Sequence, residues 1–177
     1  MDIVRVGPDD WVRFRTVRLA SLADAPSAFG SSHDDWRDAS EERWRRRLTD
    51  VPLTLVARDG HDGHDGHDGR VVRDVGVVSG QVHGESWAEL ISMWVDPSVR
   101  GTGVAQALIT AVVGWAERQG RSTYLMVRSD NARARAAYER LGFVDRGVPD
   151  GWSADEPPEH RMELRPGADG PVEAAGQ

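Results

Sequence analysis

The chain has 177 residues, 39% of them hydrophobic, carries a net charge of −7 and contains no cysteine. That length suits a single domain with a full core, and the missing cysteine excludes disulfides, thiolate metal sites and a thiol nucleophile. The acidic balance argues against a nucleic-acid binder, which needs a basic face for phosphates, and no apolar run is long enough to span a membrane.

Residues 3–6 form a short β-type run, expected as a first or edge strand. Pro8, Asp9 and Asp10 then open a helix, with acidic groups suited to its first turn. Trp11, Phe14, Val17 and Ala20 recur every three residues, Leu19 and Leu22 widen the apolar face, and the helix is expected to end near Pro26. Residues 26–32 read as a loop. Ser40 caps a further helix with Glu41 and Glu42 in its first turn. There Trp44 and Leu48 face the core, and Arg45, Arg46 and Arg47 are expected as a solvated rim. Residues 53–58 and 71–81 read as two strands of a hairpin. Between them lies a His-Asp-Gly triplet repeat, residues 61–69. His and Asp can ligate transition metals, but each Asp-Gly is also a turn former, and the expectation is a dispensable turn with no metal.

The most informative stretch follows. Residues 90–95 are short, apolar and stopped by Pro97, as in a strand buried on both faces. Arg100, Gly101, Thr102 and Gly103 then make a turn, and an apolar-periodic helix starts at Val104 and Ala105, with Val104, Leu108, Val112 and Trp115 on one face. A helix start has free N–H groups and a partial positive charge, and binds anions. Glycines let the backbone approach the ligand closely, and Arg100 has donors suited to phosphate. No Lys follows the glycines, which excludes a P-loop. The spacing is not that of a dinucleotide fingerprint either. Gly120 ends the helix. Residues 122–127 make the next strand, and residues 129–131 cap a helix reaching Leu141. Residues 143–146 and 160–164 form a closing strand pair. Residues 166–177 are rich in Gly, Pro and Ala and are expected as a disordered tail behind one domain, 1–165.

Arg100-x-x-Gly103-x-Ala105 after a strand resembles the acetyl-CoA motif of the GNAT superfamily of N-acetyltransferases. A second block supports it. Asn131, Ala134, Tyr138, Gly142 and Phe143 fall on that superfamily's Asn-x-x-Ala-x-x-x-Tyr-x-x-x-Gly-Phe pattern. The resemblance implies an α/β fold, a mixed central sheet flanked by helices, with splayed central strands that hold acetyl-CoA. It assigns cofactor contacts to Met93, Trp94, Val95, Arg100, Gly101, Thr102, Gly103, Val104, Ala105, Asn131 and Tyr138. Met93 would supply the oxyanion N–H, and Tyr138 would be the general acid. Asn131 and Tyr138 are two helical turns apart and share a face. Glu89, at the start of the central strand, is the candidate base, with His83 second. The loop between the first two helices borders the acceptor site in such a fold, which makes Phe29, Ser31 and Ser32 candidate substrate contacts. One subgroup carries a Glu base where this chain has Met126, so that mechanism does not transfer. The implied activity is acetyl transfer from acetyl-CoA to a primary amine of a small molecule. The alternatives are a protein acetyltransferase acting on Lys or an N-terminus, and a non-catalytic acyl-CoA-binding module. No nucleic-acid, membrane or metal partner is expected, a homodimer is admissible, and the expected location is cytoplasmic.

Overall fold

The computed structural model describes residues 1–60, 72–153 and 155–165. The His-Asp-Gly repeat and the C-terminal tail lie outside them. Seven strands make one sheet in the order β1-β2-β3-β4-β5-β7-β6. These are β1 (Asp2–Arg5), β2 (Leu53–Asp59), β3 (Arg73–His83), β4 (Trp87–Val95), β5 (Ser122–Arg128), β6 (Val144–Asp145) and β7 (Glu159–Leu164). All pairings are antiparallel except β4–β5. Strand β7 inserts between β5 and β6, so the closing pair forms the far edge.

Five helices cover the sheet: α1 (Trp11–Asp24), α2 (His33–Arg37), α3 (Glu41–Asp50), α4 (Val104–Glu117) and α5 (Ala132–Glu139). Two clusters of buried side chains divide the faces. Phe14 and Val17 of α1, Trp44 and Leu48 of α3, and Val77 and Trp94 of the sheet form one. Val104, Leu108 and Val112 of α4 pack with Leu90, Leu125 and Phe143 in the other. Burying a large apolar side chain is worth about 1.5–3 kcal/mol, so these two clusters fix the layer order helix–sheet–helix.

Three local readings change. The short helix α2 occupies the run after the expected loop. The hydroxyl of Ser32 accepts from the Asp35 N–H at 3.1 Å, and the Ser32 N–H donates to the Asp35 carboxylate at 3.1 Å, a reciprocal cap. On α1 the buried face is Phe14, Val17, Arg18, Ser21 and Leu22, while Ala20 is exposed. An arginine thus sits on the buried stripe. Arg45 and Arg46 do form a rim, ion-paired to Glu41 and Glu42 four residues earlier, but Arg47 turns inward.

The sheet opens at its centre. β4 and β5 pair only at Trp87–Ser122, Ala88–Thr123 and Glu89–Tyr124. Beyond Glu89 the two strands carry no further pairing and splay apart. On the other edge of β4 the register with β3 slips between Val77–Trp94 and Ser79–Ile91, so Ser92 and Met93 oppose Val78 alone. Ser92 has φ 56, the single non-glycine positive φ among the described residues. A bulge of this kind leaves an extra residue out of the ladder and bends the strand. It also keeps Met93 against the α4 cluster and Trp94 in the α1–α3 cluster.

Candidate active site

A cavity of about 430 Å³ occupies the opening between β4 and β5 and runs under α1, α3 and the 28–31 loop. Glu89, Leu90, Ile91, Ser92 and Met93 line it from β4, and Met126, Val127 and Arg128 from β5. Asn131, Ala134 and Tyr138 line it from α5, and Glu159 from β7. Phe14, Arg18, Phe29, Ser31, Trp36, Trp44 and Arg47 close the opposite side.

Tyr138 is 9% exposed, its ring edge-on to Phe143 at 5.7 Å. Burial pushes its phenol up to about 12, which keeps the hydroxyl protonated at neutral pH. Asn131 caps α5 through its Oδ1, which accepts from the Ala134 N–H at 3.1 Å.

Glu89 sits where the β4–β5 pairing ends. Its Oε2 lies 2.8 Å from His83 Nε2, and the two side chains are 18% and 44% exposed. Tyr124 is its cross-strand neighbour. Burial first, and then the charge and hydrogen bonding of that carboxylate, push the Tyr124 phenol up to about 12. Arg161 stacks over the Tyr124 ring at 3.9 Å. So the carboxylate is fixed at one end of the opening, with an imidazole between it and solvent.

Glu159 is a further carboxylate of the cavity wall. Its carboxyl is held above the usual range, chiefly by burial, with Arg128 opposing and Glu89 and Glu156 adding to the rise. A second carboxyl therefore faces the same space as Glu89. Like Glu159, Arg18 and Arg47 were not among the expected site residues. Both have a readable signal: Arg18 lies four residues after Phe14 and Arg47 three after Trp44, on the same helical faces as those core aromatics. Glu159 has no such signal, because a lone carboxylate on a closing strand looks like any exposed residue.

The 100–105 turn lies beyond the cavity. Gly101 and Gly103 have φ 86 and 92, and a Cβ at either would meet nothing within 4 Å. Glycine is required here by backbone conformation, not by crowding. Gly103 is the N-cap of α4, and the first N–H groups of that helix have no intrahelical partner. The Arg100 guanidinium is engaged: it donates to the Val95 carbonyl at 2.9 Å and pairs with Asp24 at the end of α1. Asp24 also accepts from the Trp94 indole at 2.8 Å. Arg100 thus ties the turn to β4 and α1, and the open donors of the turn are its main-chain N–H groups. Of the predicted acceptor contacts, Phe29 and Ser31 line the cavity, while Ser32 serves α2 as its cap. Trp94, Val95 and residues 100–105 are not part of the cavity wall. Met126, where a subgroup's Glu would stand, does line it, with a thioether that accepts no proton. Among the described residues no group of three or more His, Asp or Glu is placed to hold a metal ion, and no helix is long and apolar enough to cross a membrane.

A mostly antiparallel sheet opened at its one parallel pair, with a glycine-capped start to α4, departs from the parallel sheets of P-loop and dinucleotide folds. The family description "Acetyltransferase (GNAT) family" matches residues 22–143, and the chain belongs to that family. It is 30% identical over 140 residues to a mycothiol acetyltransferase of Streptomyces coelicolor, covering 78% of this chain and 40% of that protein. An uncharacterised N-acetyltransferase of Methanocaldococcus jannaschii is 39% identical over 66 residues, 37% of this chain and 29% of the relative. The chain thus spans well under half the length of these two relatives. The crystal structure of Arabidopsis thaliana NAA60 in complex with acetyl-CoA superposes with a TM-score of 0.60 at 18% identity, covering 92% of this chain and 97% of that one. That likeness speaks for the fold.

Proposed function

We propose that the chain transfers the acetyl group of acetyl-CoA to a primary amine of a small molecule. The observation that carries this is the opening between β4 and β5, which brings the protonated phenol of Tyr138, the bulged backbone at Ser92 and Met93, and the Glu89 carboxylate to one cavity. Residues 101–105 hold the cofactor's pyrophosphate through main-chain N–H groups at the start of α4, shaped by Arg100. The pantetheine arm lies along Met93, Trp94 and Val95, where β4 has lost its β5 partner, and Asn131 contacts it from α5.

The amine nitrogen attacks the thioester carbonyl once it has given a proton to Glu89, directly or through water, and His83 passes that proton toward solvent. The main-chain N–H of Met93 at the bulge stabilises the developing oxyanion. As the C–S bond breaks, Tyr138 gives its proton to the leaving thiolate, and the second proton shed by the acylated nitrogen returns through water to the Tyr138 phenolate. The reading is tested by mixing the purified chain with acetyl-CoA and a panel of primary amines. Thiol release with equimolar acetylated amine, detected by mass, is the expected result. Absence of both products across the panel, with acetyl-CoA bound, would identify a binding module instead.

A further inference from the structure

We infer that the acceptor carries an anionic group, a carboxylate or phosphate, and that Arg18 and Arg47 bind it at the end of the cavity away from Glu89. The proposal rests on the acetyl-transfer reading and deepens it.

Both arginines line the cavity, from α1 and α3. Arg18 is only 7% exposed. Neither forms an ion pair with any carboxylate among the described residues, whereas Arg13, Arg45, Arg46, Arg100, Arg128 and Arg161 all do. Asp50, on the same helix, is felt by Arg47 without pairing to it. Arg18 donates one long bond to Ser21 Oγ at 3.4 Å, and Arg47 one to Ser92 Oγ at 3.4 Å. A guanidinium has five N–H donors, so most of theirs are unspent. The Arg47 Nη1 is buried without an acceptor. This end of the cavity is therefore rich in donors and short of acceptors.

Aromatic stacking does not remove the imbalance. Arg18 lies over the Phe29 ring at 4.4 Å, and Arg47 is 5.9 Å from the Phe14 ring. Stacking uses the flat face of a guanidinium and leaves its N–H edge free. The two cations also repel: burial first, and then Arg47, bring Arg18 down to about 10. An uncompensated buried charge is costly, and a shared anion relieves both the repulsion and the unmet donors. The carboxylates line the cavity elsewhere. Ser92, which Arg47 touches, is three residues along β4 from Glu89, roughly 10 Å of strand. The cavity is thus polarised, with an anion end under α1 and α3 and an amine end at Glu89 and Glu159.

Matched probes test this: hexylamine, ω-aminohexanoate and 6-aminohexyl phosphate, bound to the whole chain in calorimetry and separately assayed for thiol release with acetyl-CoA. The parent should bind at least one anionic amine about ten- to a hundredfold more tightly than hexylamine, the scale of charge-assisted hydrogen bonds, and the two anionic arms distinguish carboxylate from phosphate. Arg47→Gln should erase that preference, and Arg47→Lys should retain part of it. Arg18→Lys serves as the second variant, because a neutral residue at that buried site risks misfolding. Equal binding of all three probes, no binding of any, or a preference that survives Arg47→Gln would overturn the proposal. Preferential binding with no thiol released from any amine would sink the transferase reading and leave the anion subsite standing. Equal thiol release from neutral and anionic amines would do the reverse.

Discussion

The two sides of the β4–β5 opening are built differently. The α4 side is made of backbone features: two positive-φ glycines, the N–H groups of a helix start and a strand edge whose β5 pairing ends at Glu89. The α1–α3 side is made of side chains, Arg18, Arg47, Phe29 and Trp44, brought together from three separate segments. A constant ligand can be held by a short stretch of main chain whose geometry demands particular residues. A variable ligand is met by side chains that can change without disturbing the fold. The first leaves a contiguous motif, and the second does not.

The largest effect expected lies where the two sides meet. Tyr138→Phe keeps the ring against Phe143 and removes only the hydroxyl. It should lower kcat on the order of a hundredfold to ten-thousandfold, with acetyl-CoA affinity unchanged by calorimetry. A kcat within a few-fold of the parent would strip Tyr138 of its role as acid. Glu89→Gln should cost less, since Glu159 and water face the same space, and should move the acidic limb of the pH–rate profile. If the profile stays put, the base lies elsewhere, and Glu159→Gln and His83→Ala are the next variants to measure. On the backbone side, Gly103→Ala places a side chain at φ 92, where nothing crowds the Cβ but the conformation costs about 1–2 kcal/mol. The free turn relaxes away from that conformation and must regain it to bind, so acetyl-CoA should bind about tenfold more weakly, while discrimination among amines stays as in the parent. A change in that discrimination would show that the two sides are not separable.

Tyr138 also links the site to stability. Its phenol ionises near 10 when unfolded and is raised to about 12 in the fold. The stabilisation is present below pH 10 and is lost as pH rises from 10 to 12, because the unfolded chain releases the proton first. Two pH units correspond to roughly 3 kcal/mol as an upper figure. Denaturant midpoints for Tyr138→Phe should therefore fall less steeply across that window than those of the parent, and parallel curves would contradict the burial argument. The smallest effect is expected far from the opening. Replacing residues 61–69 with a short turn should leave turnover within about threefold, as surface loops usually tolerate. Activity lost in that variant and restored by zinc in the parent alone would assign the repeat a metal role.

The fold was largely legible because its signals are local. The apolar run at 90–95, the glycine turn, the periodic helix from Val104 and the Asn131–Phe143 block each announce one element, and their order announces the sheet. Ser92 was not legible as a bulge, because a serine at positive φ has no pattern of its own and is held there by pairing on one side of β4 only. Arg18 was hidden because reading α1 by apolar period selects Ala20, whereas the buried stripe passes through Arg18 and Ser21. Arg47 looked like the end of an arginine run, and only the packing of α3 separates it from the ion-paired Arg45 and Arg46. Glu159 becomes part of the site because β7 inserts beside β5, a non-local pairing that no window of sequence contains.

Following thiol release and acetylated product together, in the parent and in Tyr138→Phe, asks whether the opened sheet holds acetyl-CoA and delivers its acetyl group to an amine. The parent should yield stoichiometric thiol and acetylated amine, and the variant a turnover lower by about a hundredfold or more at equal acetyl-CoA occupancy. Thiol released at the same rate by both proteins, or acetyl-CoA bound with no acetylated amine from either, would contradict it.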